Sequence, residues 1–150
     1  MTKLLIIFHS RTGNTEAMAK AVQEGAVSAG ATVSLKKVAE ATSNDLLDCD
    51  AVIFGAPTNF GYMSGAMKEF LDQAYIALGS KAASKPYAAF GCGDAGGKPA
   101  INSIDRVCHE FGQFAKFNLE KAAEGVSAKG KPSPEIFEEC KQLGKKMAQS

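Results

Sequence analysis

The sequence predicts one α/β domain over residues 1–150, a three-layer α/β/α sandwich built on a five-stranded parallel sheet. Short β-type runs alternate with longer segments of helical periodicity along the chain. This alternation is typical of a parallel sheet covered by helices on both faces. Three β-type runs are apolar throughout and two alternate with polar residues, so we place the alternating runs at the edges. The resulting strand order is 2-1-3-4-5.

The five predicted strands differ in their pattern. The three central strands are Lys3–Phe8, Ala51–Gly55 and Tyr87–Gly91, in which apolar residues follow one another without interruption. Such runs are expected where helices cover both faces of a strand. The second strand, Thr32–Lys36, and the fifth, Phe114–Leu119, alternate between apolar and polar residues. We therefore expect one face of each edge strand to meet water.

Four helices are predicted from periodicity and start signals. The first covers Glu16–Ala29, and Ser64 is the expected N-cap of the second. Pro99 suits the start of the third helix, and Ser133 precedes the last. A turn is expected in place of a helix between strands two and three. The segment 122–132, rich in small and polar residues, is expected to be the most flexible part of the chain.

Composition limits the classes of function. The formal net charge is +1, which gives no reason to expect nucleic acid or an anionic membrane as partner. No apolar run approaches the length of a membrane span. The cysteines form no CxxC pair and no metal-type spacing with the two histidines, so we expect no metal. We expect free thiols in a soluble cytoplasmic protein; the cysteines are Cys49, Cys92, Cys108 and Cys140.

Three loops of unusual composition follow the central strands. In such sheets ligands bind beyond the carboxyl ends of the strands, where the winding reverses. With the order 2-1-3-4-5 this point lies between strands one and three. The loops are HSRTGNT (9–15), GAPTNFGYMSG (55–65) and GCGDAGGKP (91–99). We expect them to form one binding site.

The first loop places small hydroxyl residues and a glycine directly before a helix. Backbone N–H groups and hydroxyls in such a turn suit one anion, and the helix N-terminus favours negative charge. Arg11 either covers the anion or points into water. A helix cap alone is the alternative, although one such residue would suffice for it. The candidate phosphate-binding residues are Ser10, Arg11, Thr12, Gly13, Asn14 and Thr15.

The second and third loops suit a flat ring. Phe60 and Tyr62 offer faces for stacking, although both could instead fold down as a hydrophobic lid. Gly91, Gly93 and Gly96 form a GxGxxG pattern, but it lies in the fourth βα unit and Pro99 follows, so it is no dinucleotide fingerprint. These glycines instead allow a close approach of backbone to a flat ligand. Together the loops indicate a mononucleotide with a large flat base, and FMN is the natural candidate.

Specific motifs strengthen this interpretation. Residues 10–15, SRTGNT, match the flavodoxin phosphate loop, T/S-x-T-G-x-T. The stretch GAPTNFGYMSGAMKEFLD resembles FMN-dependent quinone reductases of the tryptophan-repressor-binding-protein type, and GCGD resembles flavodoxins. The resemblance implies that residues 10–15 hold the phosphate. It also implies that the second loop flanks the isoalloxazine ring, through Pro57, Thr58, Asn59, Phe60, Gly61 and Tyr62. The third loop then faces the polar edge of the ring, through Cys92, Gly93, Asp94, Gly96 and Gly97.

Two functions from different classes follow from this resemblance. The first is a flavodoxin-like electron carrier that serves redox partner proteins, in which no side chain acts as acid or base. The alternative is an NAD(P)H-dependent quinone or flavin oxidoreductase, because small residues at 95–97 replace the aromatic that usually covers the ring in short-chain flavodoxins. An FMN-binding regulatory or storage module is a third possibility. A monomer and a homodimer are both compatible with the sequence.

Overall fold

Seven strands and five α-helices follow one another in a computed structural model that describes residues 1–150. The elements, in chain order, are β1 (Lys3–Phe8), α1 (Asn14–Ser28), β2 (Thr32–Lys37), α2 (Ser43–Asp48), β3 (Ala51–Asn59), β4 (Tyr62–Met63), α3 (Gly65–Leu78), β5 (Ala83–Gly93), α4 (Lys98–Phe114), β6 (Phe117–Lys121), β7 (Val126–Lys129) and α5 (Pro134–Met147). No helix is long and apolar enough to cross a membrane.

The sheet has the predicted strand order. Its strands run β2-β1-β3-β5-β6, all parallel, and β5 is the strand predicted as the fourth. Ile6 of β1 lies between Leu35 of β2 and Ile53 of β3, which in turn pairs with Ala88 of β5. The uninterrupted apolar runs therefore occupy the centre of the sheet. The predicted sandwich and its strand order are confirmed.

The fifth position of the sheet differs from the prediction. Helix α4 continues through Phe114, and the strand begins only at Phe117. Two short strands then share the position, because β6 pairs with residues 83–87 of β5 and β7 with residues 90–93. The segment expected to be flexible contains β7, so that expectation is wrong for these residues. Val126 and Ala128 are buried while Lys129 is exposed, which is the alternation of an edge strand.

Two hydrophobic cores lie on opposite faces of the sheet. Helices α3 and α4 cover one face, where Phe54, Leu71 and Ile104 belong to a single buried cluster. Helices α1 and α5 cover the other, where Ile6 and Val22 belong to a second cluster. The side chains of each central strand alternate between the two clusters. This explains why the buried part of each central strand, such as residues 4–8 of β1, carries apolar residues on both faces.

The helix starts only partly follow the predictions. Ser133 caps α5, since its hydroxyl accepts the N–H of Ile136 at 3.3 Å. Ser64 occupies the N-cap position of α3, but its buried hydroxyl makes no hydrogen bond, so the predicted capping bond is absent. Between β2 and β3 the chain forms the short helix α2 where a turn was predicted. Thr42 and Asp45 form a capping box there, which favours helix over turn.

Two glycines allow α1 and α5 to pack against each other. A Cβ atom at Gly25 would overlap the backbone carbonyl of Lys141, and one at Gly144 would overlap that of Val22. Both collisions are with backbone, which cannot rotate away as a side chain can. The two helices can therefore approach this closely only without side chains at these positions.

We expect Gly144→Ala to destabilise the protein. The added methyl group must push α5 away from α1, and overpacking of this kind costs about 1–3 kcal/mol. Urea unfolding followed by circular dichroism measures the free energy of unfolding. Gly65→Ala is the control, because nothing lies within 4 Å of a Cβ at that position, and it should change stability little. Equal effects of the two substitutions would contradict the close packing of α1 on α5.

Candidate cofactor site

Three loops meet at the carboxyl edge of the sheet. Strands β1, β3 and β5 are adjacent and parallel, so the chain leaves all three at the same edge. The backbone N–H of His9 donates to the carbonyl of Gly55 at 3.0 Å and joins the first loop to β3. The hydroxyl of Thr58 accepts the N–H of Ala100 at 3.2 Å and joins β3 to the start of α4. The three loops therefore form one surface.

The first loop is held in a turn that leaves the start of α1 open. Gly13 has φ 97°, a conformation that strongly favours glycine. Its N–H donates to the Ser10 hydroxyl at 3.1 Å, and its carbonyl accepts the N–H of Ala17. No side chain caps α1, so the donors of its first turn stay available to an anion. Arg11 and Thr12 are exposed beside this turn.

Thr15 and Cys92 join α1 to β5 beneath the loops. Thr15 is almost fully buried, and its hydroxyl lies 2.9 Å from the Cys92 sulfur. Burial raises the pKa of the Cys92 thiol, although the Thr15 bond partly opposes this. The Cys92 side chain belongs to the core under α1 and α5. Its side chain therefore packs inside the protein, and its backbone is what lies at the site.

The second loop is a tight hairpin with an aromatic tip. Asn59 of β3 pairs with Tyr62 of β4, so Phe60 and Gly61 form a two-residue turn. Both have positive φ, 53° and 74°, as a type I′ turn requires. Phe60 is fully exposed, and Tyr62 is 40% exposed. The suggestion that Phe60 folds down as a lid is therefore wrong in this structure, and its ring is free for contact with a ligand or partner.

Most glycines of the third loop are required by close contacts within the loop's own backbone. A Cβ at Gly97 would overlap the carbonyl of Gly91, and one at Gly93 would lie 2.7 Å from the carbonyl of Gly96. Gly96 has φ 111°, and its N–H donates to the Gly93 carbonyl at 3.0 Å. From the sequence we expected these glycines to allow backbone to approach a ligand closely. In the structure Gly93 and Gly97 instead lie close to other backbone of the same loop. Asp94 stands exposed at the tip.

Two supporting serines were not predicted from the sequence. The hydroxyl of Ser127 in β7 accepts the N–H of Gly97 at 2.9 Å and holds the third loop. The hydroxyl of Ser103 in α4 accepts the N–H of Met63 at 2.9 Å and holds the hairpin from below. Ser127 lies in the segment expected to be flexible, and Ser103 lies inside a helical pattern. Neither position carries a sequence signal that separates it from an ordinary surface serine.

His9 lies beside the first loop with one ring nitrogen unpaired. Its Nδ1 atom is buried and makes no hydrogen bond. Burial, and secondarily the charge of Arg11, lower the pKa of the imidazole below its usual value. The ring is therefore mainly neutral at neutral pH. It borders a cavity of about 180 Å³ that Glu16 and Lys37 also line.

Comparison with known proteins gives the family. The chain matches the family described as Flavodoxin over residues 6–144. A flavodoxin of Aquifex aeolicus is 37% identical over 99% of this chain and 86% of that protein. NAD(P)H dehydrogenase (quinone) 3 of Rhizobium meliloti is 45% identical, but over 49% of this chain and 44% of that protein. The match thus spans less than half the length of this quinone dehydrogenase.

Solved structures agree with this relationship. A flavodoxin from the domain Archaea superposes with a TM-score of 0.81 at 25% identity, covering 98% of this chain and 96% of that one. Rubredoxin oxygen:oxidoreductase of Desulfovibrio gigas superposes with a TM-score of 0.82 at 22% identity, over 99% of this chain and 36% of that one, which shows the fold alone. The fold and its edge site define an α/β nucleotide-binding protein. The chain belongs to the flavodoxin family, and its cofactor is FMN.

The residues of the site fit this cofactor. The uncapped first turn of α1 suits the terminal phosphate of FMN, because free N–H groups and the helix dipole both favour an anion. The exposed ring of Phe60 and the backbone edges of the second and third loops suit a flat heterocycle. Both features open at the same edge of the sheet, as a mononucleotide with a ring requires.

We expect Thr12→Val to weaken FMN binding by about 10- to 100-fold, because the loop predicted to hold the phosphate then lacks an exposed hydroxyl donor. Riboflavin lacks the phosphate, so its affinity should change little. Fluorescence quenching of each flavin measures both dissociation constants.

Thr32→Val is the matched control for this experiment. Thr32 is an exposed threonine at the first position of β2. It therefore lies at the amino ends of the strands, opposite the three loops. The substitution should leave both affinities unchanged. Equal losses for FMN and riboflavin in Thr12→Val would contradict the assignment of this loop to the phosphate.

Proposed function

We propose that this protein is an electron carrier that binds FMN through its three edge loops and exchanges single electrons with redox partner proteins. The observation that carries this proposal is the exposed aromatic hairpin tip beside the uncapped start of α1. A flavin held there lies at the protein surface, where a partner can approach it. The match to the Aquifex aeolicus flavodoxin along nearly the whole chain supports the same conclusion.

Each loop has a distinct role in this proposal. The phosphate is held by Ser10, Arg11, Thr12, Gly13, Asn14 and Thr15, with the backbone of the first turn of α1 as the main donor set. The ring is flanked by Pro57, Thr58, Asn59, Phe60, Gly61 and Tyr62. The backbone at Cys92, Gly93, Asp94, Gly96 and Gly97 meets its polar edge.

Thr15 contributes differently from the other residues of the first loop. Because the Thr15 hydroxyl lies 2.9 Å from the Cys92 sulfur, we assign Thr15 mainly to fixing the direction of α1. The exposed Thr12 and the free N–H groups then make the direct contacts. This division of roles explains why one threonine of the loop is buried and the other is exposed.

The redox chemistry belongs to the cofactor. FMN supplies reversible acceptance of one or two electrons when it is bound. The protein holds the flavin, orients it and limits the access of water. His9, the one histidine at the first loop, has a lowered pKa, and a mainly neutral imidazole adds no positive charge beside the phosphate. We also place the protein in the cytoplasm, since all four cysteines are free and buried thiols.

A reductase that uses NAD(P)H is the second candidate. The third loop carries the exposed and small Ala95 at its tip, which leaves one ring face open to a nicotinamide. The 45% identity with the quinone dehydrogenase of Rhizobium meliloti supports this alternative. That identity covers only half of the chain, however, so we favour the carrier.

Anaerobic mixing of the FMN-loaded protein with NADPH or NADH distinguishes the two functions. A carrier should keep its flavin absorbance through mixing, while dithionite bleaches it. Free FMN at the same concentration is the control for direct reduction by the nucleotide. Rapid bleaching by either nucleotide, faster than that of free FMN, would contradict the carrier and support the reductase.

A further inference from the structure

The imidazole of His9 has a nitrogen inside the protein that makes no hydrogen bond. This atom is Nδ1, and apart from the Ser64 hydroxyl no other buried side-chain nitrogen or oxygen lacks a partner. The ring as a whole is only partly buried, and Nε2 is not among the buried atoms. The backbone of His9 is fixed at the end of β1, because its N–H donates to the carbonyl of Gly55 at 3.0 Å. Buried polar atoms are normally paired, so this exception requires an explanation.

The burial of Nδ1 decides which nitrogen of the ring carries the proton. A neutral imidazole has one N–H donor and one bare acceptor nitrogen. A proton on Nδ1 would place an N–H group in the interior without an acceptor, and such groups are rare in folded proteins. A proton on Nε2 leaves only the bare nitrogen buried, and the N–H group lies on the accessible side of the ring. We therefore assign the Nε2–H tautomer to His9.

This ring borders a cavity beside the start of α1. The cavity has a volume of about 180 Å³, and Ser10 and Glu16 line it as well. The Ser10 hydroxyl accepts the N–H of Gly13 at 3.1 Å, so its own proton remains free for a ligand. Glu16 belongs to the uncapped first turn of α1. The volume equals that of about six water molecules at roughly 30 Å³ each, which is enough for a phosphate group.

The charges around the cavity suit an anion. Lys37, at the end of β2, lines the cavity and forms no ion pair. Glu16 is the only carboxylate in the lining, and its charge is offset by Lys20 at 3.7 Å. Arg11 is exposed on the first loop and adds a second cation. Burial, and after it the charge of Arg11, lower the pKa of the His9 imidazole, so the ring is a neutral donor between these charges.

We propose that His9 is a further phosphate-binding residue, which donates a hydrogen bond from its neutral Nε2–H group to the phosphate of FMN. His9 lies outside the hydroxyl-rich motif at residues 10–15. The inference rests on the proposed binding of the phosphate at the start of α1 and adds a donor to it. Hydrogen bonds to a charged acceptor are the strong ones. A neutral donor also keeps this bond as the pH rises, whereas an imidazolium would lose its charge.

Two substitutions of His9 separate a donor from a packing role. The amide of Gln places an N–H group near the position of Nε2, whereas Phe fills a similar space without any donor. His9→Phe should weaken FMN binding by about 10-fold. His9→Gln should stay within about 3-fold of wild type, because the donor is restored. Riboflavin lacks the phosphate, so its affinity should change little in either variant. Fluorescence quenching of each flavin measures the dissociation constants.

The second histidine provides the matched control. His109 is exposed on α4, and His109→Phe should leave the affinities of both flavins unchanged.

The pH dependence distinguishes a neutral donor from a cation. Burial and Arg11 lower the pKa of His9, and Nε2 keeps its proton above that pKa. The ratio of the FMN dissociation constants of His9→Phe and wild type should therefore stay constant between about pH 7 and 9. A ratio that fell towards one as the pH rose would overturn the neutral donor. Nitrogen NMR of the two histidines should show the Nε2–H tautomer at position 9, and an Nδ1–H signal there would overturn the assignment.

Three results of the affinity measurements would overturn the inference alone. These are an unchanged FMN affinity in His9→Phe, an equal loss of FMN affinity in His9→Gln and His9→Phe, and a loss of riboflavin affinity as large as that of FMN. A wild-type protein that bound FMN no more tightly than riboflavin would overturn the phosphate assignment of the whole first loop together with this inference. The carrier function is tested separately, by mixing with NADPH or NADH.

Discussion

The short contact between Thr15 and the Cys92 sulfur is the junction on which the site depends. It joins the first turn of α1 to the carboxyl end of β5, across the face of β1 and β3, and it lies below all three loops. Because it is buried, water does not compete with it, and a buried polar group that lost its partner would cost about 1–3 kcal/mol. The junction therefore holds the first turn of α1 against β5, in addition to the packing of α1 on α5 and on the sheet.

Hydrogen bonds of backbone N–H groups brace the first and third loops above this junction, and two of the three acceptors are serine hydroxyls. Gly13 bonds to Ser10, Gly96 bonds to Gly93, and the N–H of Gly97 is held by Ser127. Hydrogen bonds made in advance of binding reduce the ordering that the cofactor must bring about. The hairpin tip is the exception, because its aromatic ring extends into solvent. The first loop is thus held in place by its own hydrogen bonds, whereas the aromatic tip of the second loop is freely accessible.

Much of this arrangement could be predicted from the sequence, for identifiable reasons. Uninterrupted apolar runs such as Lys3–Phe8 reveal central strands, since only a doubly covered strand tolerates them. The hydroxyl-rich turn before α1 was recognisable because its polar residues exceed what a helix cap needs. The two-residue turn at Phe60 was missed, although a following glycine is its usual signal. The split of the fifth strand into β6 and β7 depends on pairing with β5, which no local pattern contains.

Within the site, too, contacts between residues distant in the sequence could not be predicted from local patterns. The role of Thr15 could not be separated from that of Thr12 in the sequence, because both belong to one motif. Only the packing of α1 against β5 shows that one side chain is buried on Cys92 and the other is exposed. The glycines after β5 were ambiguous in the same way. Gly93 lies close to the backbone of Gly96, and Gly97 lies close to that of Gly91. Which residues come together in this way depends on the conformation of the loop, which the sequence alone does not show.

A crystal structure of the FMN-loaded protein tests the central claim most directly. We expect the phosphate to lie within hydrogen-bonding distance of the N–H groups in the first turn of α1, with the Thr15 hydroxyl still near the Cys92 sulfur. We also expect the flavin ring to lie between the hairpin tip at Phe60 and the loop that follows β5. A phosphate bound elsewhere, or a flavin that leaves the start of α1 empty, would contradict the account.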